Sequence, residues 1–118
     1  MAQYKHLPVY KTTYELLRLV TEKTKHFPKD FKYSLGEKIR NEVIELVVFI
    51  YKANSVRDKR EHLFQIIERI QVVEMLVLLC KDMHIINVKG YSDLAALTDS
   101  IGRQVNGWIG SQGGQNVT

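Results

Sequence analysis

The chain has 118 residues, 17 lysines and arginines against 13 aspartates and glutamates, a formal charge of +4 and a single cysteine. That length suits one domain around one core, and a lone cysteine excludes a disulfide framework and a cysteine-based zinc site. A composition of 45% hydrophobic and 25% charged residues excludes wholesale disorder.

The first periodic segment runs from about Val9 to His26. Val9, Thr13, Leu16, Leu17, Val20, Thr24 and Phe27 recur at spacings of three and four, which places them on one helical face. Pro28 and its neighbours end the segment. A second helix is expected from Ser34, an N-cap residue with Glu37 three places on to complete a capping box, to the polar break Ala53-Asn54-Ser55. Leu35, Ile39, Val43, Leu46 and Ile50 form one apolar stripe, and Ile44, Val47, Val48 and Tyr51 form another on a different face. A third helix starts near Arg57 or Asp58 and reaches about Met83, with Leu63, Ile67, Ile70, Val73, Val77 and Cys80 along its core seam. Asn87 caps a fourth, from about Val88 to Ile109, with Tyr91, Leu94, Thr98, Ile101, Val105 and Trp108 inward.

No segment alternates with period two between hairpin turns, so the pattern implies an all-α fold, an antiparallel up-down four-helix bundle. It occupies residues 1–109 as a single domain, and the glycine-rich, polar residues 110–118 are expected to form a flexible tail. A bundle helix needs one apolar stripe. The second and third helices have more, which points to a homo-oligomer that buries the excess, or else to central positions that touch both neighbours. The longest apolar run, Val72 to Cys80, is interrupted by Glu74 and falls far short of the roughly 18 residues of a membrane span. With no apolar stretch near Met1 to serve as a signal peptide, a cytoplasmic protein that makes no membrane contact is expected.

Helical bundles often hold metals through carboxylate and histidine side chains. Di-iron bundles repeat a glutamate followed three residues later by histidine. None of His6, His26, His62 and His84 has an acid three places before it. Glu42 and Glu45 then read as surface acids and Cys80 as a small core hydrophobe. His84 is expected to satisfy a helix C-terminus. Gly102, Gly107 and Gly110 follow no strand, so they form no phosphate loop; they are expected to permit close helix contact near Trp108. The sequence thus offers no catalytic, cofactor or metal constellation, and a non-enzyme is expected.

The charge is more informative. Residues 1–33 hold seven bases and three acids, and each of the remaining stretches, 34–55, 56–83 and 84–118, is balanced. Lys11, Arg18 and Lys25 recur every seven residues opposite the apolar face of the first helix, with Lys29 and Lys32 beyond it. Such a row can follow a phosphate backbone, and Tyr10 and Tyr14 could stack on unpaired bases. The competing reading is an ordinary solvated face with Lys11 paired to Glu15 and Arg18 to Glu22, both four residues apart.

The segment Phe27-Pro28-Lys29-Asp30-Phe31-Lys32-Tyr33-Ser34-Leu35-Gly36 resembles the Phe-Pro…Tyr-x-Leu-Gly lead into the second helix of a family of small four-helix proteins. These are the accessory variability determinants of diversity-generating retroelements, relatives of the four-helix proteins encoded in intervening sequences of bacterial large-subunit ribosomal RNA genes. Tyr51-Lys52-Ala53-Asn54-Ser55 and Ile101-Gly102-Arg103-Gln104-Val105-Asn106-Gly107-Trp108 are similar to the same family, so the resemblance spans about Leu7 to Trp108. It implies a homopentameric barrel of bundles that binds the reverse transcriptase and template RNA, or an RNA/cDNA hybrid, while the polymerase carries out the chemistry. On that basis Lys11, Arg18, Lys25, Lys29 and Lys32 are the first candidates for nucleic-acid binding, and Arg40, Arg57, Lys59, Arg60 and Arg103 the second. The alternative is a structural, self-associating protein of the ribosomal intervening-sequence type.

Overall fold

Burying one apolar stripe from each of four helices requires every helix to lie beside two others, and the helices do pack in a closed ring. The computed structural model describes residues 4–117. A 3₁₀ turn, Tyr4–His6, leads into α1 (Pro8–Thr24), a one-turn α2 (Lys29–Lys32), α3 (Leu35–Ser55), α4 (Arg60–Asp82) and α5 (Val88–Val117). Among the described residues there is no strand. Helices α1 and α4 each pack on both α3 and α5.

Connection length sets the direction of each helix. Only residues 56–59 join α3 to α4, and four extended residues reach about 14 Å against about 31 Å for a 21-residue helix. The chain therefore turns back at once, and the same holds for residues 83–87 before α5. The end of α1 meets the start of α3 at Gly36, where a Cβ would lie 3.3 Å from both Thr24 Cβ and Phe27 Cδ2. The bundle measures 52 × 23 × 20 Å. One end carries the 25–34 connection and the α4–α5 turn. The other carries the start of α1 and the α3–α4 turn.

The core seams follow the periodicity closely. Val9, Leu16, Val20, Phe27, Ile39, Val43, Leu46, Ile50, Leu63, Ile70, Val73, Val77, Cys80, Leu94, Ile101 and Val105 are buried. On α4, Ile66 takes a buried place while the expected Ile67 is only partly buried. The second apolar stripe of α3 faces outward through Ile44 and Tyr51, and that of α4 through Phe64, Met75, Leu78 and Leu79, with Phe64 55% and Met75 61% exposed. Central positions in the bundle do not account for these faces, because they point away from both neighbours.

Several local expectations change. Ser34 does not form a capping box; its hydroxyl donates to the Asp30 carbonyl at 3.1 Å, because the turn of α2 brings that carbonyl within reach. Asn87 does cap α5, accepting from the Gly90 amide at 2.7 Å. Helix α4 ends in a Schellman motif: the His84 amide donates to Lys81 and the Ile85 amide to Cys80. His84 takes the left-handed position with φ 60°, where glycine is the usual residue. Gly102, Gly107 and Gly110 permit no close contact among the described residues, since a Cβ at any of them would meet none of their atoms within 4 Å. Helix α5 continues past Ile109 to Val117, through the stretch expected to form a tail. No proline interrupts it, and each glycine costs a helix about 1 kcal/mol without breaking its geometry. Thr118, the last residue of that expected tail, lies outside the described residues.

Candidate nucleic-acid interface

The seven-residue spacing does bring Lys11, Arg18 and Lys25 to the exposed side of α1, opposite buried Val9, Leu16 and Val20. They differ in how their charge is used. Arg18 donates to the Glu15 carboxylate, its Nε at 3.1 Å, and this hydrogen bond lowers the Glu15 pKa and raises that of Arg18. The pairs expected at four-residue spacing, Lys11 with Glu15 and Arg18 with Glu22, are thus replaced by one three-residue pair. A guanidinium can hold a carboxylate through two of its donors. Among the described residues Lys11, Lys25, Lys29 and Lys32 form no ion pair. Tyr14 is exposed and stacks on half-buried Tyr10 with 6.5 Å between ring centres.

The lysines are denser at the end of the bundle. Pro28 leads into α2, and its single turn sets Lys29 and Lys32 three residues apart on one side. Tyr33 follows directly, 67% exposed, with the Lys32 ammonium 5.7 Å from its ring centre.

The second candidates are dispersed. Arg40 is turned inward, its Nη1 donating to Thr24 Oγ1 at 2.8 Å, and so ties α3 to α1. At the opposite end, Lys59 Nζ donates to the carbonyls of Ala53 at 2.9 Å and Val56 at 2.5 Å and lies 5.8 Å from the Trp108 ring centre. It thereby caps the C-terminus of α3. Arg60 holds Asp58 at 3.0 Å, and these hydrogen bonds bring the Asp58 carboxyl down to about 2. Arg57 is exposed in the same turn, and Arg103 is exposed on α5. The ten candidates therefore do not form one surface. Lys25, Lys29 and Lys32 gather at one end and Arg57, Lys59 and Arg60 at the other, with Lys11 in the first turn of α1 toward that second end and Arg18 between.

Glu42 is not a surface acid. It is 5% exposed, and its carboxylate is held by Lys38 Nζ and Arg69 Nη1, each at 2.8 Å. Burial opposes its ionisation, but the two hydrogen bonds outweigh burial and keep its pKa below the usual value. Arg69 also lies over Phe49, 5.5 Å from the ring centre, and its buried Nε has no partner among the described residues. The Lys38–Glu42 spacing of four was visible in the sequence, whereas Arg69 arrives from 27 residues away. Cys80 is fully buried, and burial pushes its thiol up to about 11, so it is no nucleophile at neutral pH. Among the described residues no group of three histidine, cysteine, aspartate or glutamate side chains is placed to hold a metal ion, and no helix is long and apolar enough to cross a membrane.

The surface thus offers ammonium groups with no ion pair among the described residues and an exposed ring at one end, with outward apolar faces along α3 and α4. Among curated proteins none matches the chain. A family model described as bAvd-like matches residues 7–112, nearly the whole chain.

Proposed function

The chain belongs to the bAvd-like family, the accessory variability determinants of diversity-generating retroelements, and from that premise we propose that it is a non-enzymatic accessory subunit. In this reading it assembles as a homo-oligomer, a pentamer, in the cytoplasm. It binds the retroelement's reverse transcriptase together with template RNA or an RNA/cDNA hybrid during mutagenic cDNA synthesis. The observation that carries the reading is the family match over residues 7–112.

Two features of the surface support it. The exposed Phe64, Met75, Leu78, Ile44 and Tyr51 are faces that another copy would cover. The lysines at the start of the chain are repeated by assembly, which raises +4 per chain to +20 for five copies, and phosphate neutralisation grows with the number of contacts. The test is co-purification with the reverse transcriptase encoded beside the gene, at low and high salt, with light scattering on the free protein. A salt-sensitive complex and a particle several times 13.7 kDa, reduced to one chain by Met75→Lys with Leu78→Lys, are expected. A 13.7 kDa wild-type particle would remove the oligomer. Stable self-association without polymerase or RNA binding would favour the structural protein of the ribosomal intervening-sequence type.

A further inference from the structure

Tyr33 is the most exposed aromatic side chain among the described residues. It closes the one-turn helix α2 at the end of the bundle and is 67% exposed, while its neighbours Phe27, Phe31 and Leu35 are buried or half-buried against the core. A lone exposed ring is common on a protein surface. What sets this one apart is the charge around it. Lys32 already lies against the ring, 5.7 Å from its centre. Lys29 is one helical turn before Tyr33, on the same side, and Lys25 ends α1 just upstream. None of the three lysines is ion-paired among the described residues; Asp30 is the acid within the turn.

We infer that Tyr33 is a stacking platform for an unpaired base, with Lys25, Lys29 and Lys32 holding the flanking phosphates, so that this end of the bundle selects single-stranded over duplex nucleic acid. The inference deepens the proposed function and rests on it. A base presents its face to a ring only when it is out of a helix, and aromatic–base stacking tolerates every base because each has a π face. The lysines attract both strand forms alike, so the discrimination falls to the ring. Tyr14 provides an internal control. It is also exposed, but its neighbour Arg18 is already held by Glu15.

The test measures binding of a labelled single-stranded RNA and of the same sequence as a duplex, by fluorescence anisotropy at two salt concentrations. Wild type is expected to prefer the single strand. Tyr33→Ala should lose about tenfold in affinity for the single strand, with duplex affinity and both salt slopes unchanged. Tyr33→Phe should keep the preference, and Tyr14→Ala should behave as wild type. Lys29→Gln with Lys32→Gln should weaken both forms and flatten both slopes. Unchanged single-strand affinity in Tyr33→Ala overturns the inference and leaves the proposed function standing. An equal loss on both forms also overturns it. So does a smaller particle by light scattering, which would place the ring against another copy of the chain. If wild type binds neither form, the RNA-binding part of the proposed function falls and takes the inference with it.

Discussion

At one end of the bundle Lys25, Lys29 and Lys32 form no ion pair among the described residues, whereas at the other Lys59 caps one carbonyl in the last turn of α3 and one just after it, and Arg60 is held by Asp58. Both clusters are three cations within eight residues or fewer, and as sequence they look interchangeable. The difference lies in what the backbone needs beside them. Helix α3 ends with carbonyls that lack intrahelical partners, and Lys59 is close enough to supply one. At the α4–α5 turn that need is met by the backbone itself, through the Schellman pairing, and the nearby lysines are not required for it. A basic residue is available to a polyanion only when the fold has not already used its charge.

The sharpest way to break this contrast is to reverse the unpaired end. Lys25→Glu, Lys29→Glu and Lys32→Glu together should lower RNA affinity about a hundredfold and reduce the salt slope by about 2, with the melting temperature preserved. A large loss of stability instead would show that these lysines serve the fold after all. At the other end the expectation is inverted. Lys59→Met should cost about 1–2 kcal/mol of stability, a fall of several degrees in thermal unfolding, while RNA affinity changes by less than about threefold. Lost binding at unchanged stability would erase the distinction between the two ends.

The smallest expected effect concerns Asp58 and pH. Its pKa in the fold is about 2 against an ordinary 3.8, so the folded state binds this proton less readily than the unfolded one. The stabilisation is therefore complete above the ordinary value and fades as pH falls through the folded value. Asp58→Asn should flatten the decline in melting temperature between about pH 4 and pH 2, and it should do so only slightly because the group is exposed. A decline as steep as wild type would mean that Arg60 is not held by Asp58 in solution.

Much of the architecture was legible because it depends on local periodicity. The three- and four-residue recurrence of Val9, Leu16 and Val20, or of Leu94, Ile101 and Val105, reports one face of a helix whatever the rest of the chain does. The surplus stripes of α3 and α4 were legible for the same reason, and Phe64 and Met75 are exposed as that pattern requires. The failures occur where a side chain had a choice of partner. Ser34 turned to Asp30 instead of capping α3, Arg18 chose Glu15 over Glu22, and Glu42 was drawn inward by an arginine on another helix. The part of the candidate interface on α1 was readable from a seven-residue spacing, but spacing could not show which cations were already occupied.

By itself, the sequence determined the helical class, the four core seams, the basic bias of residues 1–33 and the resemblance that the family match then confirmed. These are properties of neighbours along the chain, and helical geometry converts spacing into faces without tertiary information. Only the tertiary structure decided that Lys25, Lys29 and Lys32 lie at one end of the bundle and Arg57, Lys59 and Arg60 at the other, and that Glu42 is a buried ion-pair partner joining α3 to α4. It also decided that Tyr33 stands exposed beside lysines that form no ion pair among the described residues. The physical reason is that burial and charge pairing depend on distances between residues far apart in the chain, and those distances are set only when the helices pack.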